Sequence, residues 1–313
     1  MRRYEKVSYI EVKNVTKDYG KGRGIFNISF NIEKGEMFGF VGTNGAGKTT
    51  TIRHLLGFSK PDAGKILVKG MNPWTSSYKF MNDIGYIPGE IAFPDLRSGT
   101  DVIKSQAEFL KIKDLSYANS LIKKLQLDVR GNPRSMSKGM KQKLAIVLAL
   151  MNDPEILFFD EPTTGLDPLM RDCFMQIVAE EHKKGKTILM SSHMFEELEG
   201  YSDKVGLIMN GKIIDIVNMN EFRNIDWKLY KIEFQDERDF KDFLNNNYEA
   251  YRIQETFNQV TIKLKNGDAK RLFSDLAKYK VKFLREVDYN LEKYFKEELE
   301  KTEEKKNDKQ TII

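Results

Sequence analysis

Nine residues, Gly42 to Thr50, read GTNGAGKTT and constrain this chain more than any other stretch. They fit G-x-x-x-x-G-K-[ST], a turn whose backbone N–H groups cradle the phosphates of a nucleotide. The setting agrees with the motif. Met37-Phe38-Gly39-Phe40-Val41 reads as a buried strand before it, and Thr50-Thr51-Ile52-Arg53-His54-Leu55-Leu56 opens a helix after it. Each residue type has a physical reason. Gly42, Gly45 and Gly47, interleaved with Asn44 and Ala46, let the backbone turn tightly and approach phosphate oxygens with no Cβ in the way. The following helix points its N-terminal N–H groups and positive dipole end at the anion. Lys48 supplies a mobile charge for the β- and γ-phosphates. Thr49, with Thr50 beside it, offers a hydroxyl ligand to Mg²⁺.

A second strand carries acid. Glu155-Ile156-Leu157-Phe158-Phe159-Asp160-Glu161 is a near-continuous apolar run ending in two carboxylates, the pattern of a strand buried on both faces of a parallel sheet. Ligands of such sheets collect at the carboxyl ends of the strands. Adjacent strand residues face opposite ways, so the two carboxylates can take different tasks. The expected division gives Asp160 to Mg²⁺ through its water shell, and Glu161 to the attacking water as general base.

Between these stretches lies Met136-Ser137-Lys138-Gly139-Met140-Lys141-Gln142-Lys143. After them come Pro162-Thr163-Thr164-Gly165-Leu166-Asp167 and Ser191-Ser192-His193. In order, spacing and content this set resembles the nucleotide-binding subunits of ABC transporters, over about Val7 to Val217. The resemblance implies an α/β fold: a P-loop NTPase of the ABC type, with an N-terminal antiparallel β subdomain and a helical lobe. It implies that Tyr19 stacks on adenine, and that Ser137 and Gly139 contact the γ-phosphate held by a second subunit. Asp167 would sit at the seam of the dimer, and His193 would hold the attacking water in line. His54 and His182 are expected to be structural or surface residues.

Two departures from the family pattern stand out. Its common signature LSGGQ reads MSKGM here, with Lys138 and Met140 replacing a glycine and a glutamine. The loop that usually carries a glutamine near the metal reads Ile84-Gly85-Tyr86-Ile87-Pro88-Gly89-Glu90. Strict counting puts Gly89 at the glutamine position and Glu90 one residue later: either Glu90 substitutes as the metal contact, or the contact is missing and coupling differs.

The implied cofactors are ATP and Mg²⁺, and the implied reaction is phosphoryl transfer to water, where placement and charge stabilisation do most of the work. The implied partners are a transmembrane permease subunit and a second ATPase copy, as a homodimer or as a heterodimer with a relative. Composition fits a cytoplasmic-face, peripheral role. The longest clear apolar run, Leu144 to Met151, has eight residues, far short of the eighteen or so that span a bilayer. The start, MRRYEKVSYIEV, has basic residues but no apolar core, so no secretory signal is expected. One cysteine, Cys173, excludes an internal disulfide framework. The formal charge is +5, and from Asn220 onward basic and acidic residues balance at 20 each. No clustered basic face argues for a nucleic-acid partner.

The chain divides into an ATPase part at 1–219, with a helical lobe at about 94–140, and an accessory part at 220–300. A groove for the membrane partner's coupling helix is expected between the Glu90 loop and Phe93-Pro94-Asp95-Leu96. In the accessory part, strand and helix patterns alternate as β-α-β-β-α-β, the split βαβ or ferredoxin-like order. It is expected to stabilise a dimer or to regulate. A charged helix follows at Leu291 to Lys305, and a disordered tail is predicted at 301–313. Asn290-Leu291-Glu292-Lys293-Tyr294-Phe295 and MSKGMKQK resemble ATPase subunits of drug, antibiotic and peptide exporters. An importer subunit is the alternative, although its usual C-terminal β-barrel is longer than this tail. A soluble ABC ATPase acting on ribosomes or DNA is a further alternative, but the doubled ATPase halves or long coiled coils of those proteins are missing.

Overall fold

The computed structural model describes residues 8–310, and residues 1–7 of the basic start lie outside them. Two compact units divide at Met219 and Asn220.

In the first unit, β1 (Ser8–Asp18), β2 (Gly24–Glu33) and β4 (Ala63–Val68) form an antiparallel sheet in the order β2-β1-β4. Alternation along β1 and β2 sends Ile10, Val12, Ile28 and Phe30 inward. The main sheet has the order β5-β6-β7-β3-β8-β9. Its strands are β3 (Met37–Val41), β5 (Ile84–Ile87), β6 (Ile156–Asp160), β7 (Thr187–Ser192), β8 (Lys204–Met209) and β9 (Lys212–Asn218). All neighbours run parallel except the closing β8–β9 hairpin. β3, β6 and β7 are buried along their whole lengths, which is why their sequences run apolar instead of alternating.

The helix α1 (Lys48–Leu55) packs its Ile52 and Leu55 into one core with the antiparallel sheet and with Phe38 and Phe40. Phe30 of that sheet stacks on Phe38 at 5.1 Å between ring centroids. The short α2 (Pro73–Ser76) follows β4. The lobe consists of α3 (Gly99–Leu110), α4 (Ser116–Lys124) and α5 (Lys138–Leu150). Ser98 starts α3 by accepting from the Asp101 N–H at 3.1 Å, a side-chain cap on an otherwise unpaired donor. After β6 come α6 (Pro168–Lys183) and α7 (Phe195–Glu199). The half-buried Cys173 sits on α6 and donates its thiol to the Lys124 carbonyl.

After α8 (Met219–Arg223), the second unit contains β10 (Trp227–Phe234), α9 (Glu237–Leu244), β11 (Glu249–Gln254), β12 (Gln259–Lys265), α10 (Ala269–Leu276), β13 (Val281–Val287) and α11 (Leu291–Gln310). Its antiparallel sheet has the order β11-β12-β10-β13, the arrangement of a ferredoxin-like fold. Phe240 and Phe243 of α9 and Leu272 and Leu276 of α10 cover one face and meet Ile232, Phe234 and Ile262. Aromatic rings gather separately: Trp227 lies 4.7 Å from Tyr289, and Phe222 stacks on Tyr289 at 5.8 Å. Tyr251 and Tyr289 both donate to Glu297 of α11.

The helix α11 continues through Gln310. No Gly or Pro interrupts it, and the i,i+4 pair Glu292–Lys296 and the i,i+3 pair Glu298–Lys301 support its first three turns. Residues 311–313 lie outside the described ones.

Phe243 is fully buried in the second unit, so Phe243→Ala should destabilise that unit by about 3–5 kcal/mol. Denaturant unfolding read by Trp227 fluorescence, in a Trp74→Phe background, should shift its midpoint downward while nucleotide binding survives. An unmoved midpoint would contradict this core assignment.

Candidate nucleotide site

The loop Gly42–Gly47 joins β3 to α1 at the carboxyl edge of the parallel strands. Gly47 has φ 114°, and a Cβ there would come within 2.7 Å of the Ile25 side chain. Only glycine lets the loop enter the helix at that point. A Cβ on Gly42 would lie 2.2 Å from the Ile208 carbonyl oxygen, so the loop is pressed against β8.

Lys48 is buried. Its ammonium donates to the carbonyls of Gly42 at 2.6 Å and Thr43 at 3.1 Å, and pairs with Glu161 Oε1 at 3.1 Å. Three oxygens thus meet the three donors that a buried ammonium must satisfy to stay charged. On the other side of the same carboxylate, His193 Nδ1 lies 3.2 Å from Glu161 Oε2. With its proton on Nδ1, the imidazole donates to that oxygen. Glu161 is therefore held between a cation and an imidazole. Its own backbone is left-handed, at φ 49°, a conformation that costs a non-glycine residue free energy and clusters at functional sites.

Asp160, the last residue of β6, is fully buried. Its Oδ1 accepts from the Ser191 hydroxyl at 2.7 Å. Its Oδ2 is buried without a hydrogen-bond partner among the described residues. Such an orphaned acceptor calls for a water or an ion. Mg²⁺ fits here, because it keeps several waters and binds through one or two protein ligands plus substrate phosphates. Thr49 and Asp160 are the residues that would hold it, and it would neutralise charge on the β- and γ-phosphates. The described residues form no group of three or more His, Cys, Asp or Glu able to cage a metal.

A cleft of about 450 Å³ opens over these groups. Asn44, Gly45, Ala46, Gly47, Lys48, Thr49 and Thr50 form one side, and Glu90, Asp160 and Glu161 face them. Gly89 lies close to the orphaned oxygen: a Cβ on Gly89 would lie 3.2 Å from Asp160 Oδ2. Glu90 is exposed on the cleft wall. Arg53, Tyr86 and Thr164 also line the cleft, and sequence reasoning gave them no role. Arg53 stands four residues beyond Thr49 on α1, so helical spacing alone puts it on the same face. Burial, helped by the Asp160 carboxylate, pushes the Tyr86 phenol up to about 12.

The other residues singled out from the sequence lie off these walls. Tyr19 is about half exposed, with the Lys17 ammonium over its ring. Ser137 caps α5 by accepting from the Met140 N–H at 3.2 Å, and Asp167 caps α6 by accepting from the Met170 N–H at 3.0 Å. Gly139 lies against Gly165, whose carbonyl oxygen would be 2.8 Å from an added Cβ. His54 is buried with Nδ1 2.6 Å from the Ser59 carbonyl, and burial lowers its pKa. His182 pairs with Asp203, which raises its own.

A phosphate loop facing a buried acidic strand end defines a P-loop nucleotide-hydrolysing protein. Comparison with known proteins narrows the class. The family model described as ABC transporter matches residues 25–164. The bacitracin transport ATP-binding protein BcrA of Bacillus licheniformis is 32% identical over 231 residues, covering 73% of this chain and 76% of BcrA. The linearmycin resistance ATP-binding protein LnrL of Bacillus subtilis (strain 168) is 35% identical over 217 residues, covering 66% of this chain and 68% of LnrL. A solved structure, an ATP binding subunit of an ABC transporter, superposes with a TM-score of 0.63 at 28% identity, covering 69% of this chain and 92% of its own. The chain belongs to the ABC transporter family, as one of its ATP-binding proteins, and is an ATPase.

Glu161→Gln should keep ATP binding and lower turnover by about 10²–10⁴-fold, the weight of a positioned base. Lys48→Ala should weaken ATP binding itself. Equilibrium binding of a fluorescent ATP analogue, set beside phosphate release, separates the two. Parent-like hydrolysis by Glu161→Gln would remove Glu161 from the role of base.

Proposed function

We propose that this ATPase powers export of a drug, antibiotic or peptide through a separate transmembrane permease subunit, at the cytoplasmic face of the cell membrane. The observation that carries the catalytic half is the Glu161 carboxylate, held between Lys48 and His193 at the end of a strand whose last residue, Asp160, keeps one oxygen free. Glu161 takes the proton of the attacking water, and His193 keeps that water in line with the γ-phosphate. Lys48 and the loop N–H groups hold the phosphates, and Thr49 and Asp160 would hold Mg²⁺. Tyr19 stacks on the adenine. The export half is supported by relatives whose names concern bacitracin transport and linearmycin resistance. Among the described residues no helix is long and apolar enough to cross a membrane.

Two ATPase copies are needed, identical or related. The family resemblance sets Ser137 and Gly139 against a γ-phosphate held by a second chain, with Asp167 at the seam, and a closed two-fold pair satisfies both sites. The accessory unit at 220–300 stabilises that pair or regulates it.

An apolar depression of about 250 Å³ is lined by Leu56, Phe58, Tyr86, Phe109 and Leu148, and Phe58 and Phe109 stand exposed beside it. A short amphipathic helix of the permease is its proposed occupant, since an apolar groove with aromatic walls takes the apolar face of a helix.

Light scattering of the Glu161→Gln protein should show the mass rising to that of a dimer on addition of Mg-ATP. A strictly monomeric species at saturating Mg-ATP would sink the paired site. Phe109→Asp should leave ATP affinity and basal hydrolysis within about twofold of the parent, as exposed surface changes do, while abolishing co-purification with the permease from native membranes. Retained co-purification would move the docking site away from this groove.

A further inference from the structure

The parallel sheet places a strand between the two that carry the site. β7 lies between β3 and β6, with Ser192 in register with Val41 and Ser191 in register with Asp160. Both serines are buried, and strand alternation sends them opposite ways. The Ser192 hydroxyl donates to Glu197 Oε2 and accepts from the Met194 N–H at 2.9 Å, which shapes the turn after His193. The Ser191 hydroxyl faces the carboxylates. It donates to Asp160 Oδ1 at 2.7 Å and accepts from the Glu161 N–H at 3.0 Å. That N–H is shared with the Ser191 carbonyl at 3.2 Å.

We infer that Ser191 is a positioning residue for the ATPase reaction, one hydroxyl that sets the orientations of both Asp160 and Glu161. The inference rests on the roles proposed above for those two carboxylates. Its donor side occupies Oδ1 of Asp160 and so selects Oδ2, the orphaned oxygen beside Gly89, for the hydrated metal. Its acceptor side holds the Glu161 N–H and so helps keep that residue left-handed, which aims the carboxylate at Lys48 and His193. A hydroxyl is suited to this place because it donates and accepts at once. Alanine or valine here would leave Asp160 with two unpartnered buried oxygens and no fixed rotation of its carboxylate. Groups that orient a metal-facing carboxylate in this way usually matter about 10- to 100-fold for metal affinity or activity.

The test compares the full-length parent with Ser191→Ala, Ser191→Thr and Ser191→Cys. Fluorescent ADP binding is measured in EDTA and then across a Mg²⁺ titration, followed by steady-state hydrolysis and a thermal melt. For Ser191→Ala the expected affinity in EDTA lies within about twofold of the parent, since the phosphate loop is untouched. The Mg²⁺ midpoint should rise about 10- to 100-fold, and kcat should fall by a similar factor with KM for Mg-ATP little changed. Ser191→Thr, which keeps a hydroxyl on the same Cβ, should restore both. A serine that only completes the sheet would lower the melting temperature and leave midpoint and kcat at parent values, and that result overturns the proposal. If the alanine variant does not fold, Ser191→Cys, a near-isostere with a weak donor, should move both quantities in the same direction. A folded cysteine variant with a parent-like Mg²⁺ midpoint overturns it equally. Failure of the underlying assignment looks different: a folded parent that binds no nucleotide at all.

Discussion

Two adjacent carboxylates at the buried end of one strand repel each other, and the site depends on how that charge is balanced. Asp160 points into the sheet, where a serine hydroxyl satisfies one oxygen and the other stays free. Glu161 leaves the strand through a left-handed backbone and meets the Lys48 ammonium. The phosphate loop and the acidic strand are thereby joined across the end of β7. A phosphate arriving at the loop would meet the same ammonium that pairs with Glu161, which ties nucleotide binding to the setting of the proposed base.

Several residues that the family resemblance assigns to the partner's nucleotide also do local work. Ser137 and Asp167 cap α5 and α6, and a lost cap costs about 1 kcal/mol of helix stability. Gly139 allows the signature segment to lie directly on Gly165, and the Lys138 side chain covers that glycine from the other direction. Substitutions in these loops therefore act on local structure as well as on pairing. The second unit stands on its own core of Phe, Ile and Leu side chains, and its sheet order follows from two βαβ halves folded into one antiparallel layer.

Legibility varied with the length scale of the cause. GTNGAGKTT between an apolar run and a helix opening is a local pattern, and the strand, loop and helix lie where it implies. The apolar run ending in Asp160 likewise names its own depth, because only a doubly covered strand reads that way. Arg53, Tyr86 and Thr164 come to the cleft from separate segments whose meeting no local pattern announces. Phe58 and Phe109, distant in the chain, likewise come together only as walls of one apolar depression.

By itself the sequence determined the chemistry on offer: a glycine-rich loop with Lys48 and Thr49, the acids Asp160 and Glu161, and His193 at a strand end. These follow from residue type and near-neighbour spacing. Only the tertiary structure decided which oxygen of Asp160 is free, that Gly89 lies close to it, and that Ser191 bonds to both neighbouring residues. Those outcomes depend on the strand order, which inserts β7 between β3 and β6. Parallel strands distant in the chain acquire their neighbours through the packing of the helices that connect them, and no stretch of sequence encodes that order locally.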